Sequence, residues 1–214
     1  MRAPLLAACL SFVLGCATTS TNHGGKPRVA PAELLPVSAL GYDFMWRQRV
    51  TARWPDGKQS FDAVLQKRQG ELMLIGLSPV GQPGFVMRLR ASGQVDVENH
   101  TGKDLPFEAR YVIADVERVF FPWFDVMEAG EPAPRSGERT TKHADTQIRE
   151  HYDAEGKLLT RDFERNTSEG PEHVRVTYSG VQADRDAPAK AVLENPLLGY
   201  GLTIETIEQT RLRN

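Results

Sequence analysis

The amino-acid sequence predicts a mainly β, α+β domain: a curved antiparallel sheet or unclosed β-barrel with a helix covering one side. Three observations predict it. From Tyr42 onward, apolar and charged residues alternate with a period of two, as in half-buried antiparallel strands. Gly- and Asp-containing turns break that alternation at short intervals. One stretch, from Phe107 to Phe120, changes to steps of three and four, the period of an amphipathic helix.

In chain order, the first element is not part of the fold. Arg2 supplies an early positive charge, Leu5 to Val13 is a short apolar stretch, and Leu14-Gly15 precedes Cys16. A basic start, a short apolar core and a small residue at the cut mark a secretory signal. The stretch is well short of the roughly 20 residues that a membrane-spanning helix needs. Val13-Leu14-Gly15-Cys16 resembles the bacterial lipobox, which implies cleavage after residue 15 and lipidation of Cys16. Cys9 leaves with the signal, so Cys16 is the one cysteine of the mature chain and no internal disulfide forms. Ala17 stands where these sorting systems read an aspartate as retention at the inner membrane. Its absence implies a lipid-anchored protein on the periplasmic face of the outer membrane of a Gram-negative source.

Residues 16–36 read as the lipidated cysteine and a flexible tether, small and polar with glycine early and proline late. The remainder, 37–214, has the length of one domain with a sizeable core. The mature chain carries 25 basic and 28 acidic residues, a net charge of −3. That balance lacks the basic surface of a nucleic-acid binder and the polybasic segment of an anionic-lipid binder.

The first strand has Phe44, Trp46, Val50, Ala52 and Trp54 on one face, and Pro55-Asp56-Gly57 turns it. The second puts Phe61, Ala63 and Leu65 on one side, and Gln69-Gly70 leads into Glu71–Leu77. Phe85, Met87 and Leu89 mark the fourth strand, and Ser92-Gly93 turns into Gln94–Glu98. The helix follows, with Phe107, Tyr111, Ala114, Val116, Val119 and Phe120 on its apolar side. Asp104 and Pro106 stand at its start, and Pro122 stops it. Asp115 and Glu117 read as its solvent face. Residues 125–142 read as a loop, strands resume at Thr146–Tyr152, Lys157–Arg165 and His173–Tyr178, and 180–198 read as a second loop. Gly201–Ile207 closes a count of about nine strands.

Here a resemblance can be stated. Gly76-Leu77-Ser78-Pro79-Val80-Gly81-Gln82, with the alternating Phe85–Leu89 behind it, resembles the LolA/LolB type of lipoprotein-handling fold. Over about residues 40–207 the chain also resembles a Gram-negative outer-membrane lipoprotein family, a domain of unknown function with that fold. Leu105-Pro106-Phe107, Phe121-Pro122-Trp123 and Tyr200-Gly201-Leu202-Thr203-Ile204 support this second resemblance. Some members are thought to accompany genes for polyketide-like or unusual fatty-acid synthesis. The resemblance implies an apolar concave interior that accepts acyl chains, and an outward apolar residue in the Pro79-Val80-Gly81 turn that touches membrane. Valine there is smaller than the usual leucine-like residue. The implied cavity wall is Phe44, Trp46, Trp54, Phe61, Leu65, Phe85, Met87 and Leu89, with Tyr111 and Phe120 as a lid.

The residues show little enzyme chemistry. His23, His100, His143, His151 and His173 are scattered, with no His-x-x-x-His pair, no Gly-x-Ser-x-Gly elbow and no glycine-rich phosphate loop. His143, Asp145, Glu150 and His151 flank or ride one strand, where solvated side chains are the common case. The expectation is a monomer that is not an enzyme, with no cofactor, no metal site and no nucleic-acid partner. Its partners would be the membrane, a lipid or acyl-chain ligand, and the lipoprotein-sorting machinery. Two functions fit: a lipid-binding protein that aids lipid or lipoprotein transfer, and a non-catalytic structural or interaction lipoprotein with a filled core. The interior separates them: a filled core counts against the first, and an open pocket of several hundred Å³ counts against the second.

Overall fold

A computed structural model describes residues 32–105, 107–127, 136–181 and 185–213. The signal segment and Cys16 lie outside the described residues. So do His23 and Pro106.

Eleven strands form one sheet: β1 (Phe44–Trp54), β2 (Gly57–Arg68), β3 (Glu71–Leu77), β4 (Pro83–Leu89), β5 (Val95–Asn99), β6 (Gly137–His143), β7 (Thr146–Tyr152), β8 (Leu158–Thr167), β9 (Gly170–Ser179), β10 (Lys190–Asn195) and β11 (Tyr200–Arg211). Their order is β5-β4-β3-β2-β1-β11-β10-β9-β8-β7-β6, and each neighbouring pair is antiparallel. Two meanders are thus joined by their first and last strands at the centre of the sheet. The edge strands β5 and β6 do not pair, so the sheet is not closed into a barrel.

The connection from β5 to β6 has to travel from one edge of the sheet to the other. It carries α1 (Ala109–Phe120) and the short α2 (Trp123–Met127). This is why helix covers one face only. Residues from β1–β4, α1, α2 and β7–β11 share one apolar core, so the sheet curls around its cover.

Local chemistry explains the turns. Gln69 and Gly70 have φ of 53° and 79°, the left-handed pair that a two-residue hairpin requires. The outer face of β1–β5 is solvated and laced with ion pairs. Arg47 and Arg49 reach Asp62, and Arg90 reaches Asp96 and Glu71. Such exposed pairs are worth about 0–1 kcal/mol each.

The structure corrects several expectations. β6 lies inside the expected 125–142 loop but for its last residue, and β10 lies inside the expected 180–198 loop, so the strands among the described residues number eleven. β6, Gly-Glu-Arg-Thr-Thr-Lys-His, is an edge strand with no buried position and hence no apolar alternation. β10 is short and stands between Pro188 and Pro196, although Ala191 and Leu193 are buried in the core. Residues at the end of the expected tether belong to the domain. Leu35 is 2 % exposed, and a 3-10 turn at Val37–Ala39 follows it.

Candidate functional site

The concave face has two halves that share one apolar core, and a charged cluster is buried in one of them. On β1–β4, the inward positions are Phe44, Trp46, Leu65, Leu72, Leu74, Phe85, Met87 and Leu89, all buried. Phe44 and Trp46 stack at 3.9 Å between ring centroids, and Phe120 of α1 meets Trp46 edge-on at 5.3 Å. Phe61, half-buried, packs on Phe85, which in turn meets Phe107 at 5.6 Å. This is the apolar wall expected from the alternation, with two exceptions. Trp54 shares the parity of Phe44 and Trp46, but it sits at the tip of the β1–β2 hairpin, beyond the covered part of the sheet, and is 37 % exposed. Tyr111 is half-buried at the start of α1, outside the shared core, with Arg165, Glu172 and Glu108 as its charged neighbours.

The wall does not enclose an open cavity. Phe44, Met87 and Leu72 are 0 % exposed and Trp46, Leu65 and Leu89 1 %, so no water-sized void touches them. An enclosed cleft of about 10 Å³ lies to one side, lined by Ala32, Glu33, Glu117, Trp123, His143 and Phe163 among others. That is room for about one water. An open groove of about 570 Å³ lies along Thr206–Gln209 with Arg185, Asp186 and Arg211, a polar surface away from the wall.

The half of the face on β7–β11 adds a buried charged cluster to apolar residues such as Ile148, Phe163, Val174, Val176 and Leu193. Asp115, Glu117 and Arg118 of α1 are 4 %, 1 % and 5 % exposed, which overturns the solvent-face reading of the two acids. Arg118 donates to Asp115 Oδ1 at 2.9 Å and to Glu172 Oε1 of β9 at 3.2 Å. Tyr200 of β11 donates to Asp115 Oδ2, and Arg165 of β8 to Glu172 Oε2. Beside this group, Glu150 of β7 accepts from Arg161 Nε at 2.7 Å, from Arg139 Nε at 3.1 Å and from the Tyr152 hydroxyl. Arg161 also donates to the carbonyl of Arg118 at 2.8 Å, and Tyr178 to that of Val119 at 3.0 Å. The charges thus fasten the last turn of α1 to the sheet.

Burial raises each of these groups, and their charged neighbours decide the net direction. It raises the Asp115 carboxyl above its ordinary value, and it pushes Glu117 up to about 8. It also works against ionised Glu150, but Arg161, the Tyr152 hydroxyl and Arg139 together outweigh it and hold that carboxyl below its usual range. Tyr178 is pushed up to about 12, chiefly by burial.

The sequence reading missed this cluster, although part of its signal was present. Glu150 stands between Ile148 and Tyr152 on the inward parity of β7, and Glu172 precedes Val174, Val176 and Tyr178 on that of β9. A charge on an inward parity needs a partner. The residues of the weak histidine grouping are not assembled. His143 lies against the Trp123 ring, His151 is exposed, and Glu150 is committed to arginines. Among the described residues, no three His, Cys, Asp or Glu side chains are placed to hold a metal, and no helix is long and apolar enough to cross a membrane. The Ser78–Gln82 turn holds Val80 outward, 80 % exposed, with Gly81 at φ 78°.

An unclosed antiparallel sheet with a helical cover, an apolar wall and a pinned helix defines the class: an α+β fold built around a concave face. Residues 45–208 match the family described as protein of unknown function (DUF3261), and the chain belongs to that family. No curated protein matches it. Among solved structures, it is similar to a LolA superfamily protein from Nitrosomonas europaea, with 11 % identity and a TM-score of 0.45, over 85 % of this chain and 95 % of that one. It is also similar to a domain from Vibrio parahaemolyticus described as outer membrane lipoprotein-sorting, with 10 % identity and a TM-score of 0.44, over 84 % and 93 % of the two chains.

Proposed function

We propose that this is a lipid-anchored envelope protein that takes up a lipid or acyl chain against the apolar wall and aids lipid or lipoprotein transfer to the outer membrane. The observation that supports it is the run of aromatic, leucine and methionine side chains on the concave face of an unclosed sheet. The layer over that face is not hydrogen-bonded into it as strands. Such linings suit flexible apolar ligands. Since the interior is filled, uptake requires part of the cover to leave. Cys16 would hold the protein to the periplasmic face of the outer membrane, and Val80 would touch the bilayer transiently. Burying a side chain of that size is worth roughly 1.5–3 kcal/mol, too little to anchor a protein.

The filled interior favours a second reading: a non-catalytic interaction lipoprotein, accessory to an envelope assembly or to an unusual fatty-acid or polyketide-like pathway. One experiment separates the two. The domain without Cys16 is purified without detergent from its own periplasm, and its organic extract is analysed by mass spectrometry. A stoichiometric lipid establishes the first reading and names the cargo class. A clean extract, with no later uptake of fatty-acid probes, establishes the second.

A further inference from the structure

The acyl-chain reading needs space inside a filled molecule, and the cover has two parts that could leave. One is α1. Its removal would break the buried contacts of Arg118 with Asp115 and Glu172, and those of Arg161 and Tyr178 with the helix carbonyls. Separating such buried charge pairs costs several kcal/mol. The other part is the N-terminal strap, residues 32–40.

The strap is held differently. Leu35, Val37 and Leu40 are 2 %, 1 % and 5 % exposed and belong to the same core as Trp46 and Met87. Leu34 and Ala39 pack against that core as well. Yet the strap is no strand of the sheet. Its turn closes on itself, with Ala39 N–H donating to Pro36 O and Leu40 N–H to Val37 O. Among the described residues, one hydrogen bond ties it to the rest of the domain: Leu35 N–H donates to Glu117 Oε2 at 2.9 Å. Its first residues meet the domain imperfectly. Ala32 and Glu33 line the small cleft, where Glu117 Oε1 and His143 Nε2 are buried without partners. Among the described residues, the other contacts that bury the strap are apolar, and an acyl chain replaces those in kind.

We propose that the acyl-chain site is the channel that Leu35, Val37 and Leu40 fill in the free protein, and that the ligand enters by displacing the strap. The inference rests on the acyl-binding reading above. It carries a consequence for the anchor. The strap continues from the expected tether, so its release adds nine residues, about 30 Å when extended, to the reach of the domain from the membrane. Ligand uptake and reach would then be coupled, because one segment serves both.

The test uses the full mature chain with Cys16→Ser and dansyl-undecanoic acid as the probe. Glu117→Met removes the acceptor of the strap's hydrogen bond without adding a buried charge, and Leu35→Ala loosens the apolar seat. Ile148→Ala, in β7 at 0 % exposure, is the control for general loosening of the core. Raising the open fraction of the chain lowers the apparent dissociation constant in proportion. The Glu117→Met chain should therefore bind the probe about 5-fold more tightly, the equivalent of one hydrogen bond of about 1 kcal/mol. The Leu35→Ala chain should bind it more than about 10-fold more tightly, because truncating a buried leucine loosens the strap by more than one hydrogen bond does. Ile148→Ala should leave the affinity unchanged. In the unsubstituted chain, hydrogen exchange at strap amides should rise on adding probe. Equal binding by all four chains with an unchanged strap overturns the inference and leaves the acyl-binding reading standing. Tighter binding by Ile148→Ala as well overturns it in the same way. No binding by any chain overturns both.

Discussion

Replacing Glu117 with glutamine should change how the stability of this protein depends on pH. Burial pushes the Glu117 carboxyl up to about 8, against an ordinary 4.5. Between those values the folded chain holds a proton that the unfolded chain has released. Stability therefore falls as pH rises through this window, at up to about 1.4 kcal/mol per pH unit. From pH 5 to pH 8 the loss amounts to about 3–4 kcal/mol, a large share of the total stability of a domain. Glutamine has the same shape, retains an oxygen for the Leu35 N–H, and never ionises. The carboxyls held below their usual range, Asp62, Asp96, Asp162 and Asp186, titrate below this window. Asp115, which is also raised, is present in both chains and cancels in the comparison. Thermal unfolding followed by circular dichroism at pH 5, 6, 7 and 8 reads the effect. For a domain of this size, Glu117→Gln should gain roughly 10 °C in Tm over the unsubstituted chain between pH 5 and pH 8. Parallel Tm curves would refute the argument, because they would mean that Glu117 is not buried as an unpaired acid.

Other positions test the remaining contacts. Glu150→Gln leaves Arg161 buried without its counter-charge, and should cost about 3–5 kcal/mol in urea unfolding. The double variant Glu150→Leu/Arg161→Met should recover most of that loss. A β-carbon at Gly76 would stand 2.1 Å from the Phe85 ring, so Gly76→Ala should cost about 1–3 kcal/mol by displacing the ring from Phe61 and Phe107. Val80→Ser lies on an exposed turn and should change stability by less than about 0.5 kcal/mol. The same substitution should reduce co-sedimentation of the unanchored domain with phospholipid vesicles. Unchanged sedimentation removes the turn from the membrane contact.

The β1–β5 meander was legible because each of its first four strands is half-buried. Phe44, Trp46, Leu65, Phe85, Met87 and Leu89 announce their face by alternation, and Gln69-Gly70 announces its hairpin by the backbone it permits. β6 gave no such signal, because an edge strand with no buried position needs no apolar side. Trp54 shows a different limit. Its parity was read correctly, but parity says which way a side chain points and not whether anything covers it.

Glu117 and Asp115 show the deepest limit. On a helix, two acids beside Arg118 look like a solvated face, and helical periodicity gives no reason to bury them. The reason lies on other strands: Glu172 and Arg161 reach α1 because the crossing from β5 to β6 lays it over β7–β11. The sequence by itself determined the strand pattern, most of the apolar wall and the one main helix, since these depend on neighbours two to four residues away. Only the tertiary structure decided that the wall is filled, that the strap is buried in the same core, and that charge pins the helix. Those outcomes depend on contacts between residues distant in the chain, such as Tyr200 with Asp115, 85 positions apart, and no local period records them.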